Sequence, residues 1–456
     1  MATFGRTKIY TNYQSVDDSN IIDILRNSFA IHMGNQVQIE HLYAYYKGNQ
    51  AILRRVKKLR PDHNAQVVEN HCFEIANFIA GYLLAKPIQY VARSKDLDVN
   101  QLSRFNDYVL ETAKDSQDMI LAKDRSICGT GYRIALPLNS EQPFKTHVLS
   151  PKYTFVVYSS GIGNEALLGC TYYKEKINGS DHVIIEAYSK DTFYRFDNTL
   201  IQVVEAKEHT MGFIPIIEYP LNEERIGSFE VVECLQDTIN LLDSDQTNAI
   251  TQFVQSLMVF KNIEVSKEML EMLKDMGAIN ISDNGEVEAK IEYITQELNQ
   301  TQVQTFKQYL KDTMYKIVGM PQQNSGGGGD NGIAVIYKDG WTEVEAKMRP
   351  NELSFKESER QFLKVVLSFT KTMTKGAVDI KANQVEIKFT RSNYENVAQK
   401  VDAFAKMMAL PNVAPILAYQ TTGLFNDPEQ ACLVSEQYVA SQPKGVNENE
   451  NANKVE

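Results

Sequence analysis

The chain is poor in the residues that staple, ligate or anchor a protein. Among 456 residues there are five cysteines, seven histidines and one tryptophan. The cysteines (Cys72, Cys128, Cys170, Cys234 and Cys432) are odd in number and more than 40 residues apart, which argues against a disulfide framework and for a reducing compartment. Long hydrophobic runs are missing too. Met1 to Tyr10 has no apolar core of the kind a signal peptide needs, and the most apolar stretch, Phe73 to Val91, contains Glu74, Asn77, Lys86 and Pro87, which are costly in a membrane span. A soluble chain with no membrane partner is expected. An excess of positive charge is also absent: 47 Lys+Arg stand against 58 Asp+Glu, a net charge of -11. That excludes a chain that grips nucleic acid over its whole surface.

The usual signatures of chemistry are missing as well. Gly327 to Gly332 has the outer spacing of a phosphate-binding loop, but Ile333 and Ala334 stand where Lys and Ser/Thr would have to be. His63, His71 and Cys72 are the nearest metal-like cluster and lack the paired short spacings of a zinc site. Glu223-Glu224 and Asp243 to Asp245 read as solvated faces rather than as a two-metal site. No Gly-x-Ser-x-Gly elbow or Cys/His pairing supports a nucleophilic enzyme. The reading is therefore no enzyme, no metal and no cofactor. The basic run Arg54, Arg55, Lys57, Lys58 and Arg60 could meet nucleic acid or an acidic partner, with a solvated helix face preferred.

What is present is uneven. From Glu223 to Gln300 there are 16 acidic and 5 basic residues, so this segment alone carries the net -11 and the remaining 42 acids and 42 bases cancel. Apolar residues at 43% and charged residues at 23% fit a globular chain, and the length implies two or more domains. To about residue 115 the pattern is helical, with Val67 to Ala85 as one amphipathic stretch. Residues 126 to 219 are rich in short β-branched and aromatic runs broken by Gly, Pro, Asn and Ser, which predicts strands.

Helical spacing returns from Phe229 to Leu242 and again at Ile250, Phe253 and Leu257; the polar stretch Asp243 to Asn248 between them predicts a helix that is only partly buried. Ser266 can cap a short helix that Gly277 ends. Asn284-Gly285, between Ala278 to Ser282 and the alternating Val287 to Tyr293, predicts a hairpin. A second helix is predicted through Val303, Phe306, Leu310, Met314 and Ile317, stopping near Gly319 and Pro321. Residues 322 to 332 are wholly polar or glycine and read as a loop. A third helix is predicted from Ile333 through Trp341 and Met348, with a break or kink at Pro350 before Phe362 to Phe369. Then come a strand at Val385 to Phe389, a helix through Val397 to Met408 capped by Ser392 and Glu395, and a polar tail from Ser441.

The order of these signals resembles the SPP1-like portal proteins of tailed bacteriophages. Its carriers are Tyr45-Tyr46-Lys47-Gly48, Asn70, Gly81-Tyr82-Leu83, Lys86-Pro87-Ile88-Gln89-Tyr90 and Gly129-Thr130-Gly131-Tyr132. They continue with Pro151 to Tyr158, Phe213 to Ile217, Gly227 before the helix with Asp237, Asn240, Ser244 and Asn248, and Gly332 with Ala334. The resemblance spans about residues 20 to 440. The four glycines of Ser325 to Asp330 depart from the family's usual loop.

The resemblance implies an α+β, mainly helical portal fold that forms a ring, usually of twelve subunits, at one capsid vertex. Double-stranded phage DNA would be packaged and ejected through it. The implied regions are a wing (1-225), a stem helix (226-258), a clip of helix plus β-hairpin (259-295), a second stem helix (296-319), a tunnel loop (320-332), a long kinked helix and strand returning to the wing (333-391), a helical crown (392-440) and a disordered tail (441-456). Implied partners are the terminase large subunit, a head-completion or adaptor protein, and the major capsid and scaffolding proteins, with the chain in the host cytoplasm during assembly and in the virion afterwards. The tunnel loop would meet DNA through Gln322, Gln323, Asn324, Ser325, Gly326, Gly327, Gly328, Gly329, Asp330 and Asn331. The clip would dock partners through Glu268, Glu271, Asp283, Asn284, Glu286, Glu288 and Glu292. A ring-forming capsid protein without a channel is the first alternative and a DNA-processing enzyme the second.

Overall fold

The computed structural model describes residues 4–57, 61–93, 97–139, 141–177, 180–209, 211–254, 257–261, 266–267, 271, 290–294, 300–321, 341–371, 376–390, 397–422, 424–425 and 428–441. The described elements mix helix and sheet. The chain divides into two units, one of residues 1–39, 77–228 and 319–456, the other of 40–76 and 229–318.

In chain order the described helices are α1 (Ile21–Tyr46), α2 (His71–Leu83), α3 (Val99–Glu111), α4 (Lys114–Cys128), α5 (Glu233–Val254), α6 (Gln300–Val318), α7 (Trp341–Lys371), α8 (Val397–Met408), α9 (Pro415–Thr422) and α10 (Pro428–Ser441). The strands are β1 (Ile9–Thr11), β2 (Gln89–Ala92), β3 (Thr130–Pro137), β4 (Phe144–Leu149), β5 (Thr154–Ser159), β6 (Ala166–Ile177), β7 (Ser180–Tyr188), β8 (Thr192–Asp197), β9 (Gln202–Glu208), β10 (Ile216–Pro220), β11 (Leu257–Lys261), β12 (Lys290–Ile294) and β13 (Val385–Lys388).

The first unit holds the strand-rich stretch expected over 126–219, as two sheets. One is ordered β1-β5-β6-β7-β8-β9 and the other β10-β3-β4. In the larger sheet Phe155, Val157, Leu168, Ile185 and Phe196 form one core with Ile21, Ile24 and Leu25 of α1. Alternation puts these side chains on one face of the sheet, and Val156 of β5, on the other face, is buried in a second core with Tyr132, Ile134, Tyr188 and Ile216. The helical reading to residue 115 needs two additions: Ile9–Thr11 pairs parallel with β5, and Gln89–Ala92 pairs antiparallel with β13. Both are short partners of distant strands, so no local periodicity marks them.

Helix α7 runs through Pro350 without ending, so of the expected break or kink the break does not occur. Packing holds this helix. Phe355, Phe362, Leu363 and Val366 are fully buried in the largest core, and Ser354 Oγ donates to the Pro220 carbonyl at 2.6 Å. Burial of several aromatic and aliphatic side chains at ~1.5–3 kcal/mol each outweighs the ~3 kcal/mol penalty of an interior proline. Helix α4 ends as its sequence requires: Gly129 has φ +76° and its N–H donates to the Arg125 carbonyl at 2.8 Å. A Cβ there would lie 2.0 Å from the Arg225 carbonyl oxygen, so only glycine fits.

Two ion clusters lie inside this unit. Glu218 accepts from Arg225 Nε and Nη2 at 2.6 and 2.9 Å, from Thr130 at 2.9 Å and from Tyr158 at 2.5 Å. Burial pushes its carboxyl up, but the Arg225 charge and these hydrogen bonds hold it below the usual carboxylate range. In the other cluster Lys114, Asp118, Arg133 and Glu359 meet with the hydroxyls of Tyr90 and Tyr219.

In the second unit α5 packs on α6, and β11 and β12 pair antiparallel, Leu257 opposite Ile294 and Lys261 opposite Lys290. Leu257 therefore belongs to a strand, not to the end of a helix, which closes at Val254. The run Leu257-Met258-Val259-Phe260 is apolar throughout and fits helix and strand periodicity equally, so pairing with β12 decides its state. Of the expected hairpin only 290–294 is described; its Asn284-Gly285 turn and first strand lie outside the described residues, as do the caps Ser392 and Glu395.

Candidate functional site

The second unit is built around a polar ladder. Residues 65 to 71 run extended beside α5, and every second backbone N–H is taken by an α5 side chain. Ala65 donates to Asn248 Oδ1 at 2.8 Å, Val67 to Ser244 Oγ at 3.0 Å, Glu69 to Asn240 Oδ1 at 3.0 Å and His71 to Gln236 Oε1 at 3.1 Å. The spacing follows from geometry. Four residues of helix advance ~6.0 Å and two residues of extended chain ~6.6 Å, so an i, i+4 row can meet alternate N–H groups of a chain running the other way. Gln236, Asn240 and Ser244 are fully buried and Asn248 nearly so. The helix is only partly buried, as expected, and its buried positions include Ser244 and Asn248 within the polar stretch Asp243 to Asn248. Polar side chains can be buried here because the extended segment brings one unpaired donor to each.

Outside the ladder, each α5 carboxylate has a partner. Glu233 meets His41 Nε2 at 3.1 Å, both Asp237 oxygens accept from Tyr45 at 3.1 Å, Asp243 binds Lys307 of α6 at 2.8 Å, and Asp245 binds Arg55 at 2.6 Å and Lys57 at 3.3 Å. Burial pushes the carboxyls of Glu233, Asp237 and Asp243 up. It acts on Asp245 in the same direction, but there the Arg55 and Lys57 contacts together overcome it and hold the carboxyl below its usual range. Lys307 also reaches Glu69 at 2.5 Å, which joins α6 to the extended segment. The basic run 54–57 therefore serves in part to neutralise α5.

Of the residues expected to dock partners, Glu271 is helical and exposed, and Glu292 lies in β12 opposite Val259. Glu268, Asp283, Asn284, Glu286 and Glu288 lie outside the described residues, and so do Gln322 to Asn331 of the expected loop. Sequence reasoning missed the ladder, Lys307 and the pairing of Asp245. The signal was available in the spacing of Gln236, Asn240, Ser244 and Asn248, four apart on a helix that has no other reason to place amides and a hydroxyl in one row. Among the described residues no group of three or more His, Cys, Asp or Glu could hold a metal ion, and no helix is long and apolar enough to cross a membrane.

The second unit is thus a helix pair with a strand pair between its helices in chain order. The match to known proteins identifies the family. Residues 28–430 fit the family described as phage portal protein, SPP1 Gp6-like, and the chain belongs to that family. The portal protein of Bacillus phage SPP1 is 21% identical over 377 residues, covering 76% of this chain and 71% of that protein. Among solved structures, a chain from the neck of an empty GTA particle aligns with a TM-score of 0.46 at 13% identity, over 78% of this chain and 90% of its own. A chain from the virion of a native gene transfer agent particle aligns at 0.45 and 12%, over 78% and 89%.

Proposed function

We propose that the chain forms a ring, of twelve subunits in the working state, at one capsid vertex, and that double-stranded phage DNA passes through it during packaging and ejection. The family match over residues 28–430 carries this reading. The proposed stem helices, 226-258 and 296-319, contain α5 and α6, and the strands β11 and β12 between them suit a clip at 259-295. The wing (1-225), tunnel loop (320-332), returning helix and strand (333-391) and crown (392-440) complete the assignment. Terminase and, later, a head-completion protein would dock at the clip. ATP hydrolysis would belong to the terminase, and the chain itself would turn over neither ATP nor DNA. Electron microscopy of the purified protein tests the ring: a particle with an axial hole is expected, and a solid or filamentous object overturns the proposal.

The acidic segment sharpens the reading of the passage. The α5 carboxylates are matched by His41, Tyr45, Lys307, Arg55 and Lys57, whereas the sequence of 264–297 has nine acidic and three basic residues. A negative rim repels a duplex bearing one charge per ~1.7 Å and lets it slide. Glu286→Lys combined with Glu292→Lys should slow packaging several-fold while rings still assemble; an unchanged packaging rate removes this face from the channel. In the loop, Gly326 to Gly329 would let the chain follow a moving DNA lattice, while Gln322, Gln323, Asn324 and Asn331 make passing phosphate contacts. Replacing the four glycines by alanine should shorten the packaged genome or lower its yield, and wild-type packaging would make the segment an inert linker.

A further inference from the structure

The basic run that opens at Arg54 meets the far end of the ladder. Arg55 Nη2 donates to Asp245 Oδ1 at 2.6 Å, and the Arg55 carbonyl accepts from Asn64 Nδ2 at 2.8 Å and from Gln66 Nε2 at 2.9 Å. The Ala65 N–H donates to Asn248 Oδ1 at 2.8 Å. Asp245 and Asn248 are three apart on α5 and so share a face. These contacts close a ring through Arg55, Asp245, Asn248, Ala65 and Asn64. Four buried side-chain atoms on it or next to it, Arg55 Nη1, Asn64 Oδ1, Asn248 Nδ2 and His63 Nδ1, have no hydrogen-bond partner among the described residues. Asn248 is 5% exposed, while Arg55, His63 and Asn64 are half-buried, so the ring reaches the surface.

A buried polar atom without a partner is costly, and four in one place call for a ligand that matches them. The orientation of each amide is fixed by the bond it already makes. Asn64 Nδ2 is spent on the Arg55 carbonyl, so Asn64 presents an acceptor; Asn248 Oδ1 is spent on Ala65, so Asn248 presents a donor. Arg55 Nη1 is a second donor, and His63 Nδ1 serves either way according to its tautomer. The ligand must therefore accept at least two hydrogen bonds and donate one. Its charge follows from the surroundings: residues 54–64 contain five basic residues and one acidic, with Asp245 bound beside them. That surplus favours an anion. Hydrogen phosphate meets both demands, since its oxygens accept charge-assisted bonds from arginine and its P–OH donates.

We propose that Arg55, Asn64 and Asn248, with His63, bind a phosphate group that keeps a P–OH, either free phosphate or the monoester at the end of a nucleic acid strand. The phosphodiesters of a duplex backbone have no such proton and are not its ligand. The site lies wholly in the second unit and stands whether or not DNA passes through a ring.

Calorimetric titration of the full-length protein with sodium phosphate, in a phosphate-free buffer at pH 7 and fixed ionic strength, tests it. Saturable binding is expected, about tenfold or more tighter than for sulfate, which carries no proton for Asn64 Oδ1. Arg55→Gln, which removes the charge and a donor, should weaken phosphate by about tenfold or more. A short DNA duplex with 5′-phosphates that binds more tightly than the same duplex without them assigns the site to a strand end, and equal binding of the two assigns it to free phosphate. Absence of saturable phosphate binding, which would leave these atoms to water, overturns the proposal. So does equal affinity for phosphate and sulfate, or unchanged affinity in Arg55→Gln; the comparison of the two anions in the wild-type protein decides even if the variant does not fold.

Discussion

Glu359→Ala should destabilise the first unit by about 3–5 kcal/mol, the cost of breaking a buried ion pair from one side. Glu359 is fully buried on α7. Its Oε1 meets Lys114 Nζ at 2.8 Å and accepts from Tyr90, and its Oε2 accepts from Tyr219 at 2.9 Å and lies 3.6 Å from Arg133 Nη1. Asp118 binds the same two cations, Lys114 at 2.7 Å and Arg133 at its other amino group. Two cations and two anions are thus balanced in the interior. Removing one carboxylate leaves a net positive charge among Phe105, Phe355 and Phe362 and two tyrosine hydroxyls without an acceptor. Against a typical total of about 5–15 kcal/mol, such a loss takes much of the stability.

The check is the urea midpoint of the variant. Glu359→Gln, which keeps an acceptor but not the charge, should fall between the wild-type protein and Glu359→Ala. A loss under about 1 kcal/mol in Glu359→Ala would mean that the cluster is held by something other than this carboxylate. Acid should act on the same cluster. Burial pushes the Asp118 carboxyl up, but Lys114 and Arg133 overcome this and hold it below its ordinary value. Its contribution is therefore present above the ordinary aspartate range and lost as pH falls through the folded value.

How far this was legible in the sequence differs between the two units. The strands of 126–219 were readable because each is short, β-branched or aromatic, and bounded by turn residues. The helices through Phe229 to Leu242 and Val303 to Ile317 were readable from period alone. What could not be read was pairing at a distance. Lys114 and Glu359 are far apart in sequence, as are Asp245 and Arg55, and a charge looks the same in a string whether it is solvated or buried against its opposite. Pro350 left break and kink open because propensity is local, whereas the burial of Phe355 and Phe362 that carries α7 past it is tertiary. For the candidate site, order and spacing along the chain pointed to the family, while the roles of Asn240, Ser244 and Asn248 emerged only when residues 65 to 71 were seen beside them.

The ladder yields the other large effect. Asn240→Leu keeps a side chain of similar bulk and removes all its polar atoms. In the wild-type protein Asn240 Oδ1 accepts from the Glu69 N–H at 3.0 Å and from Gln236 Nε2 at 2.9 Å, and Nδ2 donates to Gln50 Oε1 at 2.5 Å. Gln236 retains the Glu69 carbonyl as an acceptor at 2.7 Å, so its loss is partial. The Glu69 N–H and the fully buried Gln50 oxygen lose the partner that Asn240 supplied. Each such orphan costs about 1–3 kcal/mol, which puts the variant roughly 2–6 kcal/mol below wild type. Ser244→Ala loses one acceptor for the Val67 N–H at 3.0 Å and a bond to the Asn240 carbonyl at 2.6 Å, and should cost less. Because the rungs share one extended segment, exchange of the amides of residues 65–71 should quicken together in Asn240→Leu, not at residue 69 alone. A single quickened amide with an unchanged urea midpoint would mean that the rungs act independently and that packing, rather than the ladder, holds residues 65–71 to α5.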